Sequence, residues 1–291
     1  MRIQRVVAGK ALNGPLVRVI GTVDAVGQGT EHEVCDVNPF VLLDHVKAPF
    51  TQAGLPPFGM HPHHGLQVAT LMWEGALSSQ LGSSKQDDPP DTFRGAGMCP
   101  VAFAGRGLSH DEHTASDEST LMSQLIWLIP ETERSSPARM EIAEPAGFLP
   151  AGPGAYVCVA VGEAFGRKSP VVTATPITMV FGTLDPEATI ELPALGGGTF
   201  LFVADGALKA QETEILTHNL AILEGGPGKV IARNIGKEAA RFIYGSGERI
   251  DEPWVKLLTH NGFILCRDLE EARRQEEILK RVGLENYGQL N

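Results

Sequence analysis

The stretch "FGMHPHHGLQVATLMWEG", residues 58–75, holds three of the nine histidines of this 291-residue chain within four positions: His61, His63 and His64. Imidazole is a metal ligand and a proton carrier near neutral pH. In an extended segment residues two apart share a face, so His61 and His63 project to one side and His64 to the other. Farther on, "AGRGLSHDEHTASDE" sets His110 and Glu112 on one face with Asp111 and His113 opposite. Two strands presenting these pairs inward bring three imidazoles and a carboxylate together. Such a mixed nitrogen and oxygen set suits Fe(II), Mn, Ni or Zn, with one or two positions open to water, O₂ or substrate. The ordinary reading of a histidine in a sheet is a hydrogen-bonded core or rim residue, and H-x-H alone is a weak metal signal. The second pair, roughly fifty residues downstream, tips the balance toward a metal site.

These residues need strands and sharp turns to present them. Pro62, between the first two histidines, fits an edge or strand-start position, where its missing N–H costs little. The glycines of "AGRG" let the chain turn before His110. His64, Asp111 and His113 read as solvent-facing groups or as neighbours of the ligands, and Arg106 as a turn residue beside the cluster or on the surface. Asp87 and Asp88 lie in the Pro-rich "KQDDPPD" and receive no catalytic role.

Strand signals dominate elsewhere. "PFVLLDH", "LQVATLMW", "LMSQLIWLI", "AYVCVAV", "ITMVFGTL", "TFLFVADG", "LAILEGG", "KVIARNI" and "ARFIYGSG" are short runs rich in β-branched and aromatic residues, bounded by turn formers. Their spacing predicts antiparallel sandwiches or barrels. The exception is "RDLEEARRQEEILKRVG": Asp268 as N-cap, Glu271 at the third helical position, the pairs Glu276/Lys280 and Glu277/Arg281, and a closing Gly283 predict a helix. A Pro-, Glu- and Ala-rich break divides the chain into a strand-rich block 1–130, a linker 131–154 and a second strand-rich block 155–291. Seven of the nine histidines fall in the first block, so the chemistry is expected there.

Composition narrows the partners. The net charge of −11, with no run of Lys or Arg, argues against direct nucleic-acid contact and against an anionic membrane surface. No run of 18 apolar residues offers a membrane span, and the N-terminus lacks the apolar core of a leader, which together predict a cytoplasmic protein. Cys35, Cys99, Cys158 and Cys266 are far apart and read as buried thiols.

The motifs "NPFVLLDH" at 38–45, "HPHHG" at 61–65, "LMWEG" at 71–75, "AGRGLSHDE" at 104–112 and "LIWLIP" at 125–130 resemble, in order, those of the pirin family of the cupin superfamily. The stretches 161–188 and 247–272 continue the resemblance across nearly the whole chain. It implies an all-β fold of two cupin-type barrels (double-stranded β-helix, or jelly-roll) packed face to face, with a C-terminal helix. It implies one metal in the N-terminal barrel, usually iron, held by three histidines and a glutamate that fall on His61, His63, His110 and Glu112. The C-terminal barrel is implied to lack metal, in keeping with the isolated His218 and His260. Two departures stand out: Gln67 occupies the place of a common cupin glutamate, and His64 that of the family's usual arginine. Bacterial members resemble quercetin 2,3-dioxygenases, implying cleavage of a flavonol's central ring by O₂, with Glu112 as ligand or general base. Eukaryotic members imply an alternative: an iron- and redox-responsive regulator acting through protein partners.

Overall fold

The apolar runs fold as strands because most of them are buried on both faces. In Leu66–Glu74 every residue but the last is buried. Leu66 and Val68 face one cluster while Ala69, Leu71 and Trp73 face another. A strand covered on both sides reads as a continuous apolar run rather than an alternating one. The computed structural model describes residues 1–11, 16–21, 37–48, 59–82, 91–114, 119–143, 147–260 and 262–288; His32, Cys35, Asp87 and Asp88 lie outside them.

The strands build four main sheets. A seven-stranded sheet centred on Leu66–Glu74 and Thr120–Leu128 and a six-stranded sheet containing His61–His64 and Leu108–Thr114 close the first barrel. A second seven-stranded sheet, including Ile177–Leu184, Gly198–Asp205 and Ala240–Gly247, and a four-stranded sheet close the second. The two seven-stranded sheets pack against each other. One cluster unites Phe40, Leu71, Trp73 and Trp127 of the first with Phe181, Phe200, Phe202 and Ile243 of the second. Phe40 meets Phe200 edge-to-face at 5.1 Å between centroids, a geometry worth about 1 kcal/mol beyond the buried area. The architecture is therefore the expected one, two cupin-type barrels face to face with one helix. Among the described residues no helix is long and apolar enough to cross a membrane.

The two ends of the chain cross over. Arg2–Ala8 pairs with Asn219–Glu224 in the second barrel, and the hairpin Val255–Thr259/Gly262–Cys266 joins the six-stranded sheet of the first. A division at 1–130 and 155–291 thus leaves each barrel short of strands supplied from the opposite end. The segment 131–154 is also more than a linker. Arg139–Ile142 adds an edge strand to the first barrel and Leu149–Gly152 one to the second. Such short edge strands bury only part of one face, so they carry little hydrophobic periodicity.

The helix α1, Leu269–Val282, has the expected ends. Asp268 accepts from the Glu271 N–H at 2.8 Å, and Gly283 closes it at φ 77°. Ala272 and Leu279 pack it onto Ile264 and Cys266 of the hairpin, on the outer face of the six-stranded sheet. Cys99, Cys158 and Cys266 are all buried.

Candidate metal centre

The strand His61–His64 lies between Leu108–Thr114, antiparallel, and Gly262–Cys266, parallel. It is an interior strand, not the edge that Pro62 suggested. Parallel pairing with the hairpin begins at His63, one residue after Pro62, so the missing N–H falls at the strand start. The hairpin comes so close that a Cβ on Gly262 would sit 2.0 Å from the Pro62 carbonyl. Gly65, at φ +70°, ends the strand with its α-carbon against the Leu265 carbonyl.

Register then assembles the cluster. His110 stands opposite His61, and Leu108 opposite His63. The inward rings of His61, His63 and His110 have centroids 4.4–5.1 Å apart. One ligand nitrogen from each lies within 4.8 Å of the others. All three rings are at most 3% exposed. His61 Nδ1 lies 2.7 Å from the Gly59 carbonyl. A proton on Nδ1, donated to that oxygen, leaves the lone pair on Nε2. Both nitrogens of His110 and Nε2 of His63 have no hydrogen-bond partner. Burial lowers the pKa of His110 to about 4. Burial, and then the neighbouring His61 and His110, hold His63 well below the usual imidazole range. Buried neutral imidazoles with unpartnered nitrogens are costly unless something occupies them. The set fits a metal ion.

Glu112 follows His110 on the same face, opposite Ser79. It is outside the mutually close trio, and its carboxylate is bound from the facing sheet. Gln124 Nε2 donates to Oε2 at 2.7 Å, and Thr70 Oγ1 donates to Oε1 at 3.2 Å. Burial raises the Glu112 pKa, while attraction to His61 and these two donors oppose the rise. The structure thus brings together the three expected histidines and places Glu112 beside them.

Other expectations need correction. His64 is not solvent-facing: it is 3% exposed, covered by α1, with Nε2 3.8 Å from Glu271 and 3.5 Å from Gln275. Asp111 and His113 do face outward, 3.9 Å apart. Gln67 points away from the histidines into the barrel–barrel interface. There its amide donates to the Val172 carbonyl and accepts from Trp127 Nε1. An ionised carboxylate could not make the first bond. Thr70 and Gln124 were not singled out from sequence. Their signal was a lone polar residue on the barrel-facing side of an otherwise apolar strand.

With this geometry in hand, the chain can be set beside known proteins. A family model described as Pirin matches residues 21–128. The human protein Pirin is 29% identical over 80% of this chain and 78% of its own length. Among solved structures, a quercetin 2,3-dioxygenase from Acinetobacter baumannii superposes with a TM-score of 0.78 at 20% identity. That match covers 97% of this chain and 98% of the other. A bacterial pirin of Escherichia coli, solved in complex with nickel(II), gives a TM-score of 0.61 at 14% identity. It covers 84% of this chain and all of the other.

Proposed function

This chain carries a pirin-family domain within a bicupin fold, and on that premise we propose that it is a metal-dependent oxidoreductase that opens the central ring of a flavonol-like substrate with O₂. The observation that carries the reading is the buried trio His61, His63 and His110 beside the carboxylate of Glu112. Similarity to a quercetin 2,3-dioxygenase supports the substrate class; Val68, Phe93, Ala102 and Met140 pack beside His110 and Glu112.

In this reading His61, His63 and His110 hold a divalent ion, Fe²⁺ first among Fe, Mn, Ni and Zn. When bound, that ion supplies Lewis acidity toward the substrate 3-hydroxyl and a centre for bringing substrate and O₂ together. Glu112 either completes the ligand set or takes the 3-hydroxyl proton on a carboxylate oxygen. Burial raises the Glu112 pKa, which suits a carboxylate that accepts a proton. Gln124 and Thr70 fix the carboxylate plane, and the Gly59 carbonyl fixes the tautomer of His61. Phe93 and Met140 pack beside His110 and Glu112 and exclude water from that side.

The test is aerobic incubation of metal-loaded protein with quercetin. Loss of the flavonol absorbance with release of carbon monoxide is expected. Full metal occupancy with no spectral change and no carbon monoxide refutes the dioxygenase reading and favours a regulatory role through protein partners.

A further inference from the structure

The outer face of the HPHH strand borders a second cavity, separate from the metal-facing interior. It measures about 320 Å³ and is lined by His64, Arg106, Glu131, Arg134, Ser135, Glu271 and Gln275. This volume is at the lower end of small-ligand pockets. Its walls come from three places: the turn before His110, the turn after the short 3₁₀ helix Glu131–Glu133, and the first half of α1. The two turns are tied together, since the Arg106 N–H donates to the Ser136 carbonyl at 3.0 Å.

Arg134 is the anomaly. Its side chain is 4% exposed, yet Nε, Nη1 and Nη2 all lack a hydrogen-bond partner. The nearest counter-charge, Glu252, is 3.6 Å from Nη2, beyond hydrogen-bond reach, and its Oε2 already accepts from the Glu131 N–H at 2.7 Å. The two glutamates of the cavity are likewise engaged. Glu131 accepts from Arg267 Nη1 at 2.9 Å. Glu271 accepts from the Arg267 N–H and is held at a pKa of about 2, chiefly by His64 beside it. A buried guanidinium with unsatisfied donors is unfavourable unless an acceptor fills the space in front of it. A planar or tetrahedral oxyanion is the acceptor that matches its fork. Arg106 adds a second positive charge on the same cavity, and Ser135 a hydroxyl donor.

We propose that this cavity is a binding site for a small oxyanion, a carboxylate or a phosphate carried on a compact polar molecule, received by Arg134 and Arg106. It lies on the opposite side of the HPHH strand from the metal ligands, because His63 and His64 point to opposite faces. The ligand is therefore distinct from an aromatic substrate at the metal, and the proposal does not depend on the reaction assigned above.

Calorimetric titration of the full-length, metal-loaded protein with inorganic phosphate and, separately, with succinate tests this, using chloride at matched ionic strength as the control. Saturable binding of phosphate, succinate or both is expected, and which of them binds identifies the class of oxyanion. Arg106→Gln and Arg134→Lys should each weaken that binding at least about tenfold while leaving metal content unchanged. Melting curves report whether each variant is folded; should Arg134→Lys fail to fold, Arg106→Gln alone decides. No saturable binding of either anion up to about 10 mM, or binding indifferent to the substitutions, overturns the proposal.

Discussion

Gln124 is the residue through which the candidate metal centre can be perturbed without touching a ligand. Its amide lies on Thr120–Leu128, across the barrel from the histidines, and donates to Glu112 Oε2 at 2.7 Å in a buried setting. Gln124→Leu keeps the volume and removes the donor. A hydrogen bond to a charged group contributes about 1.5–3 kcal/mol, and loss of such a supporting bond weakens metal binding about 10- to 100-fold. Burial already raises the Glu112 pKa, and removing a bond that opposes the rise lifts it further. The carboxylate must be ionised to attract a cation, so the pH at which metal binding is half lost should move upward in the variant. Competition with a chromophoric chelator across pH 5–8 measures both effects, about the range where such shifts are read. Thr70→Val should show the same signs at smaller size, since its bond is longer, 3.2 Å against 2.7 Å. A folded Gln124→Leu protein with affinity within about twofold of the parent, and an unmoved pH midpoint, refutes the role given to Glu112.

Two further outcomes follow from the barrel–barrel interface. His45 is buried there beside Phe202 and His218, with Nδ1 2.8 Å from Ser123 Oγ, which also accepts from Trp73. Burial first, then the charges of His218, Arg241 and Lys47, lower its pKa from 6.5 to about 4. The folded state therefore resists a proton that the unfolded chain accepts. Stability is full above about pH 6.5 and falls by roughly 3 kcal/mol as pH drops to about 4. His45→Gln should remove that part of the slope in denaturant melts, and an identical slope in parent and variant contradicts the assignment. Phe200→Ala empties the centre of the shared cluster and should cost about 3–5 kcal/mol in one cooperative calorimetric transition. Two separated transitions, or a loss below about 1 kcal/mol, would show that the barrels do not share a core.

How much of this could be read from the chain depended on how local each signal was. The helix was legible because its N-cap, its third-position glutamate and its terminal glycine lie within sixteen residues, 268–283. The inward trio was legible because strand parity is a local rule and both histidine pairs sit two residues apart. The donors to Glu112 were not, since Thr70 is 42 residues away in sequence and meets it only across the closed barrel. Parity turned His64 away from the ligands but carried no word of α1, which covers it from more than two hundred residues downstream. The exchange of strands at the two ends was equally invisible. Arg2–Ala8 is largely exposed and shows no clean apolar alternation, and its place is set by the edge at Asn219–Glu224.

The central claim is that His61, His63 and His110 hold a metal ion. Elemental analysis of freshly purified protein and of two single variants tests it most directly. A single divalent ion per chain is predicted in the parent, its loss in His63→Ala, and its retention in His64→Ala, whose neighbouring imidazole is just as buried but faces α1. Equal metal content in the parent and His63→Ala, or none in the parent after reconstitution with Fe, Mn, Ni and Zn in turn, would contradict it.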